Sequence, residues 1–194
     1  MTNFIEIKNL SKKYEQNKNI SVLKNLNFKF KKGKIYSLTG PSGSGKSTLL
    51  NILSLVDKPT NGNISIKDKV IDFKEKKNND IIRSNEIGII YQDKNLLTDF
   101  TALENVYLAR LNLISNKENA INDAKKLISK VGLSNRMNHY PSQLSGGECQ
   151  RIAICRALIN SPNIILADEP TGNLDYKNAK EIFKMFFNLK NKDR

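Results

Sequence analysis

The stretch Gly40-Pro41-Ser42-Gly43-Ser44-Gly45-Lys46-Ser47-Thr48 decides how the rest of this chain is read. It fits G-x-x-x-x-G-K-[ST], a pattern that average residue usage produces by accident in roughly 1 in 100 chains of this length. Glycines let successive backbone N–H groups turn inward around a polyphosphate, and a helix starting near Gly45 adds the positive end of its dipole. Lys46 would reach the terminal phosphates, and the Ser47 hydroxyl would ligate Mg2+. The flanks supply the context such a loop needs: Lys34 to Thr39 reads as a short strand and Ser47 to Leu53 as a helix.

Upstream, Phe4 to Lys8 and Leu26 to Phe30 alternate apolar and polar residues with period two, which predicts a half-exposed antiparallel sheet. Downstream, Asn61-Gly62 marks a turn before Asn63 to Ile66, the polar run Lys74 to Asp80 reads as a solvated loop or helix end, and Ile87 to Tyr91 reads as a buried strand. From Thr101 to about Asn160 the period becomes helical, as in Leu103, Val106, Tyr107 and Leu111. Pro162 breaks that pattern. Asn163 to Ala167 is a continuous apolar run suited to a strand covered on both faces, and Lys177 to Lys190 is an amphipathic helix.

Composition excludes several classes. At 194 residues and 39% hydrophobic side chains the chain suits one domain with a subdomain. No apolar run approaches the ~18 residues needed to span a bilayer, and Met1 to Glu6 has no basic segment leading into an apolar run, so we expect a cytoplasmic chain. The two cysteines, Cys149 and Cys155, would fall on separate faces of a helix and fit neither a disulfide framework nor a zinc cluster. The net charge of +13 would ordinarily point to nucleic acid. Here 26 of the 32 basic residues are Lys, and Asn (26) and Ile (22) are inflated as well, as AT-rich codon usage produces, so the charge reads largely as solvated lysines.

Two further constellations carry chemistry. Asp168-Glu169 follows directly on the apolar strand, at the carboxyl end where parallel sheets place their ligands; an acid there can hold Mg2+ and its neighbour can orient or deprotonate water. Leu144-Ser145-Gly146-Gly147-Glu148 leads into a helix from Cys149 to Ile159, with Ser145 as N-cap and two glycines leaving backbone N–H groups open, a second anion cradle. Two cradles in one chain imply two chains sharing one nucleotide.

Taken together these motifs resemble the nucleotide-binding subunits of ABC transporters. GPSGSGKST looks like their Walker A loop, Gln92 after IGIIY like the Q-loop glutamine, LSGGE like the signature, IILADEP like Walker B, Asn173-Leu174-Asp175 like the D-loop, and Tyr14 like the aromatic that stacks on adenine. The resemblance implies an α/β fold, a P-loop NTPase with a RecA-like core, an antiparallel β-subdomain and a helical subdomain. The core would comprise residues 1–92 and 161–194, and the helical subdomain about 93–160. It implies ATP bound by Tyr14, Gly40, Pro41, Ser42, Gly43, Ser44, Gly45, Lys46, Ser47 and Thr48, with Ser145, Gly146 and Gly147 of a second copy closing over the γ-phosphate. Glu169 would be the catalytic base, with Lys46 and Gln92 also catalytic, and Ser47, Gln92 and Asp168 would hold Mg2+.

Within that family, Asp99 to Val106, Asn138 to Leu144 and Ala167 to Asp175 look most like the LolD-type ATPases of lipoprotein-releasing systems, ahead of MacB-like exporters and FtsE-like cell-division ATPases. This implies a homodimer on the cytoplasmic face of an inner membrane, LolC/LolE-like permease partners docking near Leu96 to Asn112, and no direct nucleic acid. Two departures stand out. Cys149 replaces an arginine that is usual in the family, and no histidine follows the last helix: His139, the sole histidine, precedes the signature and reads as a loop or packing residue. The chain is therefore expected to be either C-terminally truncated or impaired in hydrolysis, a scaffold that binds ATP being the alternative to an ATPase.

Overall fold

A computed structural model describes residues 3–16, 18–172 and 174–190. Two long strands, β1 (Asn3–Gln16) and β2 (Lys18–Lys31), form an antiparallel hairpin, and β1 pairs on its other side with β3 (Asn61–Ile66), which pairs in turn with β4 (Lys69–Val70). Ile5 and Ile7 face Ile66 and Ile64 across β1 and β3, and all four are buried. An extra residue in β1 between Ile7 and Leu10 reverses the parity of the strand, and Asn9 there takes a left-handed φ of 51°. Leu10 and Lys12, rather than Asn9 and Ser11, are therefore the buried residues that follow Ile7. Gly62 lies against this bulge, where a Cβ would strike the Asn9 carbonyl.

The expected strand from Lys34 to Thr39 is not formed: these residues pair with no strand, and Ile35, Tyr36 and Leu38 are exposed. A tight turn explains the difference. Gly33 takes a φ of 70°, the Lys31 N–H donates to the Tyr36 hydroxyl at 2.9 Å, and the Tyr36 ring meets Phe28 and Phe30 edge-on at 5.7 and 5.1 Å. The chain thus returns onto β2 through a side chain and not through a ladder. Helix α1 (Lys46–Leu53) follows the glycine loop and buries Leu49, Ile52 and Leu53. Part of the polar run from Lys74 is helical, forming the start of α2 (Lys76–Glu86), beyond which the chain enters β5 (Ile87–Ile90).

Two compact units divide near the middle of α2, one up to Ile81 and the other from Ile82 to Asn188. In the second unit β5 runs parallel to β6 (Ile164–Ala167), from Ile87 opposite Ile164 to Ile90 opposite Ala167. Helix α5 (Gly146–Leu158) packs so closely on β5 that a Cβ at Gly88 would strike the Ala157 carbonyl. Ile164 and Leu166 are buried but Ile165 and Ala167 only half so, and β6 is consequently covered more fully on one face than the uniform apolar run predicts.

Helices α3 (Ala102–Leu111), α4 (Lys117–Lys130) and α5 share a core built on Val106, Ala124, Ile128, Ile152 and Cys155. Alanines at 102, 120 and 124 let the helices approach, and burial of each Ile or Val contributes about 2 kcal/mol. The last element is α6 (Tyr176–Lys190), whose Ile182 is buried and whose Glu181 pairs with Arg151 of α5 at 3.0 Å. Among the described residues no helix is long and apolar enough to cross a membrane.

Candidate functional site

The glycine loop takes the form its sequence requires. Gly43 and Gly45 have φ of 78° and 93°, a region costly for residues with a Cβ, and Gly45 is the N-cap of α1. A Cβ on Gly40 would sit 2.9 Å from the Ser44 hydroxyl, and one on Gly45 equally close to Val22 and Leu23. No side chain caps α1, so its first N–H groups stay available to an anion. The Lys46 ammonium donates to the carbonyls of Gly40 and Pro41, both at 2.9 Å, which holds it over the loop. Pro41, Ser42, Ser44 and Ser47 are exposed around this cradle, while Thr48 is half-buried. A polyphosphate fits this donor set: a lysine, a helix N-terminus and glycines where side chains would intrude.

Tyr14 lies near the end of β1 and is 37% exposed as a residue. Its hydroxyl donates to Asp57 Oδ2 at 3.0 Å, and the ammonium of Lys12 stands 4.7 Å from the ring centroid. These residues and the glycine loop belong to the first unit.

In the second unit the parallel strands bring Gln92 and Glu169 together. Gln92 lies two residues beyond β5 and Glu169 two beyond β6, and the Gln92 amide donates to Glu169 Oε2 at 3.1 Å. The Asp168 N–H continues the ladder to the Ile90 carbonyl at 2.9 Å, which places Asp168 half-buried at the strand ends. Glu169 is exposed and takes a left-handed φ of 44°, and its carbonyl accepts the Gly172 N–H at 3.0 Å. A side chain at 172 would press on its carboxylate, since a Cβ there lies 3.2 Å from Oε2. Asn173 lies outside the described residues; Asp175 accepts the Lys177 N–H at 3.0 Å and opens α6.

The second cradle is a capped helix start. Ser145 Oγ accepts from the Glu148 N–H at 3.3 Å while Glu148 Oε2 accepts from the Ser145 N–H at 2.8 Å, a reciprocal capping box. Ser145 and Gly146 are exposed and Gly147 buried. The hydrogen bond from the Ser145 backbone holds the Glu148 carboxyl below its usual range, burial opposes this, and Arg136 at 3.0 Å adds to it. His139 lies in a loop beside Arg136, 3.3 Å from its guanidinium, and its backbone carbonyl accepts the Ala102 N–H. Cys149 and Cys155 lie apart, the first half-buried and the second buried.

Several residues that matter here escaped the sequence reading. Asn105, 2% exposed, accepts the Leu97 N–H at 2.8 Å and donates to the carbonyls of Leu97, Phe100 and Thr101 at 3.0 Å, fixing the segment after Gln92. Arg156 donates to the carbonyls of Lys94 and Asn95 at 2.7 and 2.6 Å, holding two left-handed residues, and burial pushes its pKa down. The T-x-x-E spacing of Thr101 and Glu104 signals another capping box, and α3 begins with one.

Comparison with known proteins gives the family. The family model described as ABC transporter matches residues 23–172. The lipoprotein-releasing system ATP-binding protein LolD of Rickettsia bellii is 50% identical over 186 residues, 95% of this chain and 82% of the relative. That of Cytophaga hutchinsonii is 47% identical over 171 residues, 88% of this chain and 78% of the relative. Among solved structures, the ATP-binding cassette MJ0796, as a post-hydrolysis dimer bound to ADP and Pi, is 40% identical with a TM-score of 0.90, covering 97% of this chain and 84% of that one. With a phosphate cradle, a Gln92–Glu169 pair and a capped signature helix all inside the matched range, this chain belongs to the ABC transporter family, as an ATPase subunit of it.

Proposed function

We propose that the chain is the ATP-hydrolysing subunit of a lipoprotein-releasing complex, working as a homodimer under a LolC/LolE-like permease pair on the cytoplasmic face of an inner membrane. Identity of 47–50% to LolD proteins over most of both chains supports the lipoprotein assignment over a MacB-like or FtsE-like one. The observation that carries the catalytic reading is the Gln92–Glu169 hydrogen bond at the ends of two parallel strands.

ATP would lie with its base on Tyr14 and its phosphates against Gly40 to Thr48. Lys46 exchanges its two carbonyl partners for phosphate oxygens and so neutralises charge that grows as the γ-phosphoryl group leaves. Ser47, Asp168 and Gln92 would hold Mg2+, which when bound would supply further positive charge against the phosphates. Glu169 accepts a proton from water as that oxygen bonds to the γ-phosphorus and the bond to the ADP oxygen breaks. Ser145, Gly146 and Gly147 of the partner copy would offer backbone and hydroxyl donors to the same phosphate, so the site is complete only in a dimer. The helical subdomain, about residues 93–160, would receive the permease near Leu96 to Asn112, next to Gln92.

Steady-state ATP hydrolysis beside ATP binding tests this reading. Turnover should vanish in Glu169→Gln while ATP binding persists; turnover unaffected by that substitution would remove Glu169 from the role of base.

A further inference from the structure

The proposed chemistry uses Tyr14 but assigns nothing to its surroundings. Lys12 is only 7% exposed, and lysines are rarely buried unless paired. Its ammonium lies 2.7 Å from Asp57 Oδ1 and 2.8 Å from the Lys58 carbonyl, and also faces the Tyr14 ring. The other oxygen of the same carboxylate accepts the Tyr14 hydroxyl. One carboxylate therefore anchors the ring twice: directly at its hydroxyl, and through Lys12 at one face.

The segment carrying Asp57 is itself tied at two places. The N–H groups of Val56 and Asp57 donate to the Asn51 carbonyl at 3.0 and 3.1 Å, and Asn51 belongs to α1, the helix onto which the phosphate loop opens. Three residues further on, Thr60 donates its N–H to the Ser11 carbonyl at 2.8 Å and accepts the Lys13 N–H on its hydroxyl at 2.9 Å. The parity reversal at Asn9 puts Lys12 inside and so completes the arrangement. Residues 56–60 thus bind the phosphate-loop helix and the strand that bears Tyr14.

We propose that Asp57, with Lys12, is a positioning residue that presents the uncovered face of the Tyr14 ring to adenine and fixes the ring relative to the phosphate loop. This rests on the reading of Tyr14 as the adenine platform. An exposed tyrosine near a strand end would otherwise sample several rotamers, and ordering it before binding removes that cost from the affinity.

The test compares binding of ATP and of inorganic tripolyphosphate to the full chain and to Tyr14→Ala, Tyr14→Phe and Asp57→Ala. Base–aromatic stacking predicts ATP binding about tenfold weaker in Tyr14→Ala. Tyr14→Phe keeps the ring, removes its hydroxyl anchor and disturbs the fold least. It and Asp57→Ala should weaken ATP about threefold or more with tripolyphosphate unchanged, and Asp57→Ala should add nothing in the Tyr14→Ala background. Unchanged ATP affinity in Tyr14→Phe and Asp57→Ala, or equal losses for both ligands, would overturn the inference alone. Unchanged ATP affinity in Tyr14→Ala would overturn the adenine assignment and the inference with it.

Discussion

The Gln92 side-chain amide donates to the Glu169 carboxylate at 3.1 Å, joining residues 77 positions apart because β5 and β6 run parallel and end together. The bond orients a carboxylate whose backbone is already strained into the left-handed region. On the proposed reading of Glu169 as base, Gln92→Ala should therefore lower kcat by about tenfold to a hundredfold, with a smaller rise in KM for ATP from the lost metal ligand. Steady-state kinetics at saturating Mg2+ separate the two constants, and a rise in KM alone would assign Gln92 to binding.

Gly172→Ala tests the same carboxylate from its other side. A Cβ 3.2 Å from Glu169 Oε2 forces a shift of a few tenths of an ångström, so turnover should fall with ATP affinity intact. Equal activity in this variant would mean that Glu169 tolerates displacement.

Acid should loosen two helix starts. Hydrogen bonds from the Ser145 and Thr101 backbones hold the carboxyls of Glu148 and Glu104 below their usual range, so each folded pKa lies under its unfolded value. Their stabilising contribution is complete above the unfolded pKa and disappears as pH falls through the folded one, that is, below the ordinary carboxylate range. Thermal unfolding followed from pH 7 downward should show Tm falling there, less so in Glu148→Gln. Ser145→Ala should cost about 1 kcal/mol at neutral pH.

Asn105→Ala should be among the more damaging substitutions outside the catalytic residues. It orphans the Leu97 N–H and the Phe100 carbonyl in a part-buried segment and removes a second donor from the Leu97 and Thr101 carbonyls, which keep the N–H groups of Phe100 and residue 105, a loss of about 2 to 4 kcal/mol at 1 to 3 kcal/mol per unsatisfied group with partial rescue by water. Urea denaturation would register it as a lower midpoint at unchanged slope.

Most of the site was legible because its motifs are local: the glycine loop, Asp168-Glu169 and S-x-x-E each encode their own geometry within a few residues. What escaped depends on distant partners. Asn105 and Arg156 look like ordinary helix residues, and only the fold shows whose backbone they hold. The Lys34–Thr39 pattern misled because Tyr36, which a strand would use for its period, instead packs on Phe28 and Phe30. Lys12 reads as a solvated lysine until the bulge at Asn9 is counted. Burial pushes the Cys155 thiol up to about 12, so native protein should leave Cys155 unlabelled by iodoacetamide at pH 8.

The central claim is that ATP completes its site between two copies of this chain. Sedimentation velocity of Glu169→Gln, with and without saturating ATP and Mg2+, tests it most directly. A species of twice the 22.0 kDa chain mass that appears with ATP and is abolished by Gly146→Asp is the predicted result. A 22.0 kDa species at saturating, demonstrably bound ATP would contradict it.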